Sequence, residues 1–255
     1  MPLIIASDKD EASMAMFSYM LENYGFTEKE DRFYYRNFEL RKIDENHIDY
    51  NSNFDESYGY VIFLSKHSSA AGIKSLTAHP TGNFGDARLG GMPKTLNISD
   101  PYHMSGSLRK MAETYTDHEF EVTFEATHHG PLINLPNFFV EIGTTKDEWT
   151  NQDALHTVTD AVINPDEREY PAFLAIGGGH YAPKITEYFK ENDVNIGHII
   201  SKHDHDGLEK SQIIDAMKKT PGLKGILMDR KGTRGNVRSM AKEIADEESI
   251  ELLVI

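Results

Sequence analysis

The last third of the chain alternates short apolar runs with amphipathic stretches, and this restricts the fold more than any other feature. Ala172 to Ile176 leads into Pro183–Glu191, His198 to Ile200 into Leu208–Lys219, and Gly225 to Met228 into Asn236–Glu247, with Leu252-Leu253-Val254-Ile255 closing the series. Apolar runs this short are strands buried on both faces, and repeated strand-to-helix units build a largely parallel sheet. Upstream, Leu3 to Ala6 is a strand and Asp8 a candidate N-cap for a helix over Glu11 to Asn23, with Met14, Phe17, Met20 and Leu21 on one face and Gly25 just past its end. Phe33 to Leu40, Tyr60 to Leu64 and Phe138 to Ile142 read as strands. His118 to Thr127 alternates, with Phe120, Val122, Phe124 and Ala126 on one side and Glu119, Glu121, Thr123 and Glu125 on the other, which predicts a strand covered on one face only. Thr145 and Glu148 make a capping-box pattern opening a helix that carries Trp149, Leu155, Val158 and Val162. The expectation is an α/β fold, a three-layer α/β/α sandwich around a mixed, partly parallel sheet. It forms one compact domain over 1–255, or two lobes at about 1–116 and 117–255.

With 255 residues the chain can bury a sizeable core. It has no apolar run of about 18 residues and no basic-then-apolar leader, so neither a membrane span nor a signal peptide is expected, and the protein reads as cytoplasmic. The absence of cysteine excludes disulfides, thiolate nucleophiles and Cys-type zinc sites; any metal must sit on His, Asp, Glu or backbone oxygen. A net charge of −15 argues against coating nucleic acid by bulk electrostatics. Residues 201–242 run against that trend, with ten Lys and Arg against five Asp and Glu. Within them lies the Gly-punctuated loop Asp229 to Arg238, whose Arg230, Lys231, Arg234 and Arg238 form either a phosphate-contacting loop or a solvated turn.

Three histidine-bearing segments follow strand-like stretches: Ser65-Lys66-His67 with His79 twelve residues on, Thr127-His128-His129-Gly130-Pro131, and Gly177-Gly178-Gly179-His180-Tyr181-Ala182-Pro183. Loops at strand ends carry the chemistry of α/β folds, and imidazole suits proton transfer and metal ligation near neutral pH. Neighbours on an extended backbone point oppositely, so one of His128 and His129 is expected in a site unless the Gly130-Pro131 kink relaxes the limit. Glu141 lies in an apolar strand and needs a partner: it orients a histidine, binds an amine, or is a salt-bridged structural carboxylate. Gly178 and Gly179 let backbone N–H groups approach a ligand, and the helix start at Pro183 favours an anion. The glycines match neither a dinucleotide fingerprint nor a P-loop. The turn-rich segment from His79 through Thr81, Gly82 and Asn83 to Asp86 is long for a connector and reads as a substrate loop. Asp204 and Asp206 around His205 are either hard-metal ligands or an ordinary polar loop. Ser-Lys-His recurs at 65–67 and 201–203, which, if both lie on one sheet edge, brings Lys66 and Lys202 to a common mouth. His47, His103, His118, His156 and His198 read as structural.

Taken in order, Ser65-Lys66-His67-Ser68-Ser69, Leu76-Thr77-Ala78-His79-Pro80-Thr81-Gly82-Asn83, Thr127-His128-His129-Gly130-Pro131, Glu141-Ile142-Gly143 with Trp149 after it, and Gly177 to Pro183 resemble the archaeal and plant-type D-aminoacyl-tRNA deacylases. The motifs span residues 61 to about 203. The resemblance implies a fold akin to the phosphorylase and peptidyl-tRNA hydrolase type and a hydrolase that cleaves the ester between a D-amino acid and the 3′-terminal adenosine of tRNA. It also implies zinc as cofactor. The acidic net charge departs from what broad tRNA contact asks, and leaves the 230–238 loop with Lys66, Lys74, Lys184 and Lys202 as backbone contacts.

Such a reaction needs a positioned water, a base or metal to deprotonate it, and donors for the oxyanion. Imidazoles of His67, His79, His128, His129 and His180 are the candidates for base or ligand, with His128, His129 and His180 the metal set. Gly178 and Gly179 are the donors, and Glu141 is a candidate for the substrate ammonium. No protein partner is expected. Two other readings fit the residues: a metal-dependent peptidase or amidohydrolase of the same fold type, and a non-catalytic RNA- or nucleoside-binding protein.

Overall fold

The computed structural model describes residues 1–68, 72–117 and 119–255. Ser69 of the first histidine motif and His118 at the head of the alternating strand lie outside them. The described strands are β1 (Pro2–Ser7), β2 (Thr27–Lys29), β3 (Arg32–Tyr35), β4 (Phe38–Ile43), β5 (Tyr60–His67), β6 (Ser75–His79), β7 (Gly82–Asn83), β8 (Thr95–Leu96), β9 (Glu121–Phe124), β10 (Asn137–Gly143), β11 (Ala172–Ile176), β12 (Asn195–Ile200), β13 (Leu223–Met228) and β14 (Glu251–Val254). The helices are α1 (Glu11–Asn23), α2 (Pro101–Thr114), α3 (Lys146–Trp149), α4 (Gln152–Ile163), α5 (Pro183–Glu191), α6 (Lys210–Lys218) and α7 (Gly235–Glu248).

The fold is α/β with a mixed, partly parallel sheet of eight strands, ordered β2-β3-β4-β1-β5-β10-β6-β9. β1 runs parallel to β4 and β5, and β5 parallel to β10, whereas β6 is antiparallel to β10. The strand-helix units of the last third form a second sheet of their own, wholly parallel, in the order β12-β11-β13-β14. The sheets meet where the chain leaves β9: Ala126 N–H donates to His180 O (2.8 Å), Ala182 N–H to Phe124 O (3.1 Å) and Thr127 N–H to Ile199 O (2.9 Å). One buried cluster joins Ile62, Phe124 and Val140 of the first sheet to Phe173, Ile196 and Ile199 of the second, with α2, α4 and α5 contributing side chains. Leu3, Ile5, Val61, Phe63 and Phe139 pack on the far face of the first sheet, and α6 and α7 cover the far side of the second.

Several elements differ from the sequence reading. Asp10, not Asp8, caps α1, its Oδ1 accepting the Ser13 N–H at 2.9 Å. Phe33 to Leu40 is a hairpin, β3 and β4, rather than one strand. The helix opened by Thr145 and Glu148 makes its capping box but stops at Trp149, and Asn151 caps a new one. The predicted strand at Tyr60–Leu64 runs on to His67, so Ser65-Lys66-His67 is strand rather than turn. Its echo at 201–203 follows β12 in the other sheet, and the two do not share an edge. Helix α2 has no counterpart in the sequence reading because the side it buries includes Ser105, Gly106, Ser107 and Arg109. Ser105 Oγ accepts from Ile196 N–H (2.8 Å) and Arg109 donates to Val194 O (2.9 Å), so hydrogen bonds to the second sheet stand in for part of an apolar stripe.

Candidate active site

Side chains alternate across a strand, so residues that follow core positions by two share their face. On the first sheet this face carries Phe63 and then Ser65 and His67 on β5, and Phe139 and then Glu141 and Gly143 on β10. On β6 it carries Thr77 and His79, and Thr123 on β9 leads to Glu125. The intervening Leu64, Val140, Leu76, Ala78, Val122 and Phe124 enter the shared core. The site is thus built on one face of four adjacent strands, β5-β10-β6-β9, and completed by the strand-end segments that carry His128, His129 and His180.

Two carboxylates hold it together. His67 Nδ1 lies 3.0 Å from Glu125 Oε1 and 3.4 Å from Glu141 Oε2, His79 Nε2 lies 3.7 Å from Glu141 Oε1, and His180 Nε2 lies 2.9 Å from Glu125 Oε2. Glu125 and His79 are fully buried, Glu141 and His67 nearly so, while the His180 side chain is 42% exposed. Burial opposes every charge here, and the opposite charges overcome it. Despite desolvation, contacts with Glu125 and Glu141 lift His67 to about 10 and Glu141 raises His79. Against burial and the neighbouring Glu125, His67 and His79 bring Glu141 down to about 2, and His180 and His67 draw Glu125 well below its ordinary value. Burial and the cationic His79 push His128 well down and His129 to about 4.

His128 and His129 both face the cluster. His129 takes a left-handed φ of 46°, which rotates consecutive side chains to one side; the rings lie 4.3 Å apart, and 4.1 and 4.9 Å from His79. Each of the three donates Nδ1–H to a carbonyl, His79 to Pro80 (3.2 Å), His128 to Ala126 (2.8 Å) and His129 to Gly130 (2.6 Å). A carbonyl only accepts, so Nδ1 carries the proton and Nε2 of the neutral His128 and His129 offers its lone pair, the arrangement common in metal-bound histidines.

Three sets of side chains bring ligand atoms within 4.8 Å of one another: His79, His128 and His129; His67, Glu125 and His180; and His79, Glu125 and Glu141. His67 Nε2 is buried without a hydrogen-bond partner, and the Glu125 oxygens and His79 Nε2, equally buried, meet only other members of the cluster. Buried groups of this kind, in a His and carboxylate donor set, fit a zinc ion. The trio His128, His129 and His180 expected from sequence is divided between two of these sets.

His180 lines three adjoining hollows. One, of about 470 Å³, is walled by Asp10, His47, Ser65, Lys66, His67 and Glu141 among others; one of about 430 Å³ by Gly82, Asn83, Phe84, His128, His129 and Asp204; and one of about 510 Å³ by His67, Gly178, Gly179, Tyr181 and Asp229. Of the 79–86 segment, Gly82 and Asn83 line a hollow as the short strand β7, whereas Thr81 is buried and its Oγ1 donates to Asn137. Gly179 N–H donates to Tyr181 O (3.1 Å) and is not free for an oxyanion. Gly177 has a φ of 118°, and a Cβ there would fall 2.7 Å from Thr233 Oγ1, so the glycine loop packs directly on the basic loop. In that loop Arg230 and Lys231 are exposed, Arg234 pairs with Asp206, and Arg238 is tied to Arg230 O and Thr233 O. Lys202 is exposed beside Gly178, to whose carbonyl its N–H donates. Lys74 pairs with Glu119 and Glu148, and Lys184 with Glu187. Asp204 bonds Ser201 Oγ (2.6 Å), which favours the polar-loop reading of 204–206.

Sequence reading missed Glu125, which binds the cluster together, and treated His47 as structural although it lines the 470 Å³ hollow. The alternation over 119–125 contained the signal for Glu125, but its polar side reads as solvent-facing until three histidines cover it. Glu141, considered for a substrate ammonium, is committed to His67 and His79.

A buried histidine–carboxylate cluster opening onto hollows at the junction of two sheets is the equipment of a hydrolase built on an α/β fold. A family model described as D-aminoacyl-tRNA deacylase matches residues 54–253, and the chain belongs to that family. Curated D-aminoacyl-tRNA deacylases of Thermoplasma acidophilum and Thermoplasma volcanium are 59% and 58% identical over the whole of both chains, and that of Thermococcus onnurineus 35% over 99% of each. The crystal structure of a conserved protein of unknown function, 29% identical, superposes with a TM-score of 0.91 over 100% of this chain and 95% of the other. Among the described residues no helix is long and apolar enough to cross a membrane.

Proposed function

We propose that the protein hydrolyses the ester between a D-amino acid and the 3′ end of tRNA, with zinc held by the histidine–glutamate cluster. The observation that carries this reading is Glu125, fully buried with one oxygen against His67 and the other against His180. His67, Glu125 and His180 would hold one ion, and His79, His128 and His129 form a second set of the same kind. Bound zinc supplies Lewis-acid activation of water and of the ester carbonyl. The chain's own part is to fix the imidazoles through Pro80, Ala126 and Gly130 carbonyls, to keep Glu125 and Glu141 ionised, and to exclude bulk water from all but the His180 edge. At that edge the hollows offer room for an aminoacyl group and a terminal nucleoside, and exposed Arg230, Lys231 and Lys202 lie beside the 510 Å³ hollow to meet backbone phosphates. The family membership supports tRNA over a peptide as substrate, and the reading places the work in the cytosol.

The test pairs release of D-tyrosine from D-tyrosyl-tRNA with filter binding of charged and uncharged tRNA. Release by zinc-loaded protein is expected, reduced at least about 10²-fold by His180→Ala. Binding without release would mean an RNA-binding protein, and cleavage of peptides with indifference to tRNA a peptidase.

A further inference from the structure

Among the described carboxylates beside the histidines, Glu125, Glu141 and Asp10 stand on the first sheet's side, and of these Asp10 alone meets no imidazole. Glu125 and Glu141 face imidazoles. Asp10, 7% exposed and in the wall of the 470 Å³ hollow, is reached by uncharged donors: Ser13 N–H on Oδ1 (2.9 Å), and Lys66 N–H (3.0 Å) and Ser65 Oγ (3.3 Å) on Oδ2. The two lysines of the same wall are placed elsewhere. Lys9 Nζ pairs with Asp8 (2.9 Å), and Lys66 Nζ stands over the Trp149 ring at 5.3 Å. A buried anion held by neutral dipoles is a site for an incoming cation.

We propose that Asp10 receives the α-ammonium of the aminoacyl group. This rests on the deacylase reading and names the residue that orients its substrate. Ser65, which Asp10 grips, precedes His67 by two residues on the same face of β5, a rise of about 7 Å along the strand between the two positions. That span accommodates a water at His67, the ester carbon and the α-nitrogen in file. The N-cap bond to Ser13 fixes one oxygen to the start of α1, so the carboxylate is positioned before substrate arrives. With ammonium and carbonyl each anchored, the configuration at the α-carbon decides where the side chain must go.

The experiment compares D-phenylalanyl-tRNA with D-phenyllactyl-tRNA, whose hydroxyl replaces the ammonium. Wild-type protein is expected to prefer the ammonium substrate by at least about tenfold in kcat/KM. Asp10→Asn keeps a helix cap of equal quality. It is expected to lose that factor on D-phenylalanyl-tRNA through KM while hydrolysing D-phenyllactyl-tRNA at the wild-type rate. Equal wild-type rates on the two esters overturn the assignment without any variant, as does an Asp10→Asn protein weakened alike on both. Wild-type protein inert toward both removes the deacylase reading, and this assignment with it.

Discussion

His180 Nε2 stands 2.9 Å from Glu125 Oε2, and with that contact the second sheet completes a cluster otherwise built on one face of the first. Glu125 follows β9 and His180 follows β11, and the backbone bond from Ala126 N–H to His180 O fixes their separation.

Glu125→Gln keeps the shape and removes the charge that His67, His128 and His180 share. Turnover of D-tyrosyl-tRNA is expected to fall at least about 10²-fold, and zinc per chain, measured by elemental analysis, to drop with it. Wild-type zinc content and rate in this variant would remove Glu125 from the centre.

Gly143 lies on β10 opposite His67, where an added Cβ would fall 3.0 Å from His67 Cβ and 2.7 Å from Ser75 Oγ. The serine hydroxyl can rotate away, but His67 Cβ moves only with β5. Gly143→Ala is expected to slow deacylation about 10²-fold by displacing the imidazole, with far-ultraviolet circular dichroism unchanged. An unaltered rate would show that His67 needs no such alignment.

In metal-free protein the pairing of His67 with Glu141 should stabilise the fold most between about pH 4.5 and 6.5. His67, near 10 in the folded chain against an ordinary 6.5, contributes fully below 6.5 and loses that contribution as pH rises toward 10. Glu141, near 2 against 4.5, contributes fully above 4.5 and loses it as pH falls toward 2. His128 and His129, held neutral by burial, oppose this below 6.5, so the pair is read from the difference in urea midpoint between chelated wild type and Glu141→Gln, which is expected to be larger at pH 5.5 than at 3.5 or 8.5. A difference that does not shrink toward 3.5 and 8.5 would contradict the pairing.

Zinc must displace the proton of His67 to bind it. Calorimetric titration of chelated protein near pH 7, repeated in buffers of different ionisation enthalpy, is expected to report release of about one proton at that site. No release would mean the ion sits elsewhere or His67 is neutral beforehand.

Much of this was legible in the sequence, and the gaps have physical causes. The βα units of the last third were readable because α5, α6 and α7 each present one apolar side to their sheet. His79, His128, His129 and His180 were found because glycine and proline mark their segments, His67 because it follows an apolar run, and the strand around Glu141 because it is otherwise apolar. β6 was not seen, since Ser75, Thr77 and His79 put polar atoms on a buried face, and such a pattern resembles a solvated strand. Glu125 was hidden for the same reason. Asp10 was overlooked because a cap and a cavity wall use the same carboxylate, and only the fold of β5 against α1 reveals the second use.

The account rests on ester hydrolysis directed at the D-configuration, and the ratio of kcat/KM for D-tyrosyl-tRNA to that for L-tyrosyl-tRNA, measured on zinc-loaded protein, tests it most directly. A ratio of at least about 10², the discrimination expected of a site that anchors polar groups of its substrate, is predicted; equal rates on the two, or no release of either amino acid, would contradict it.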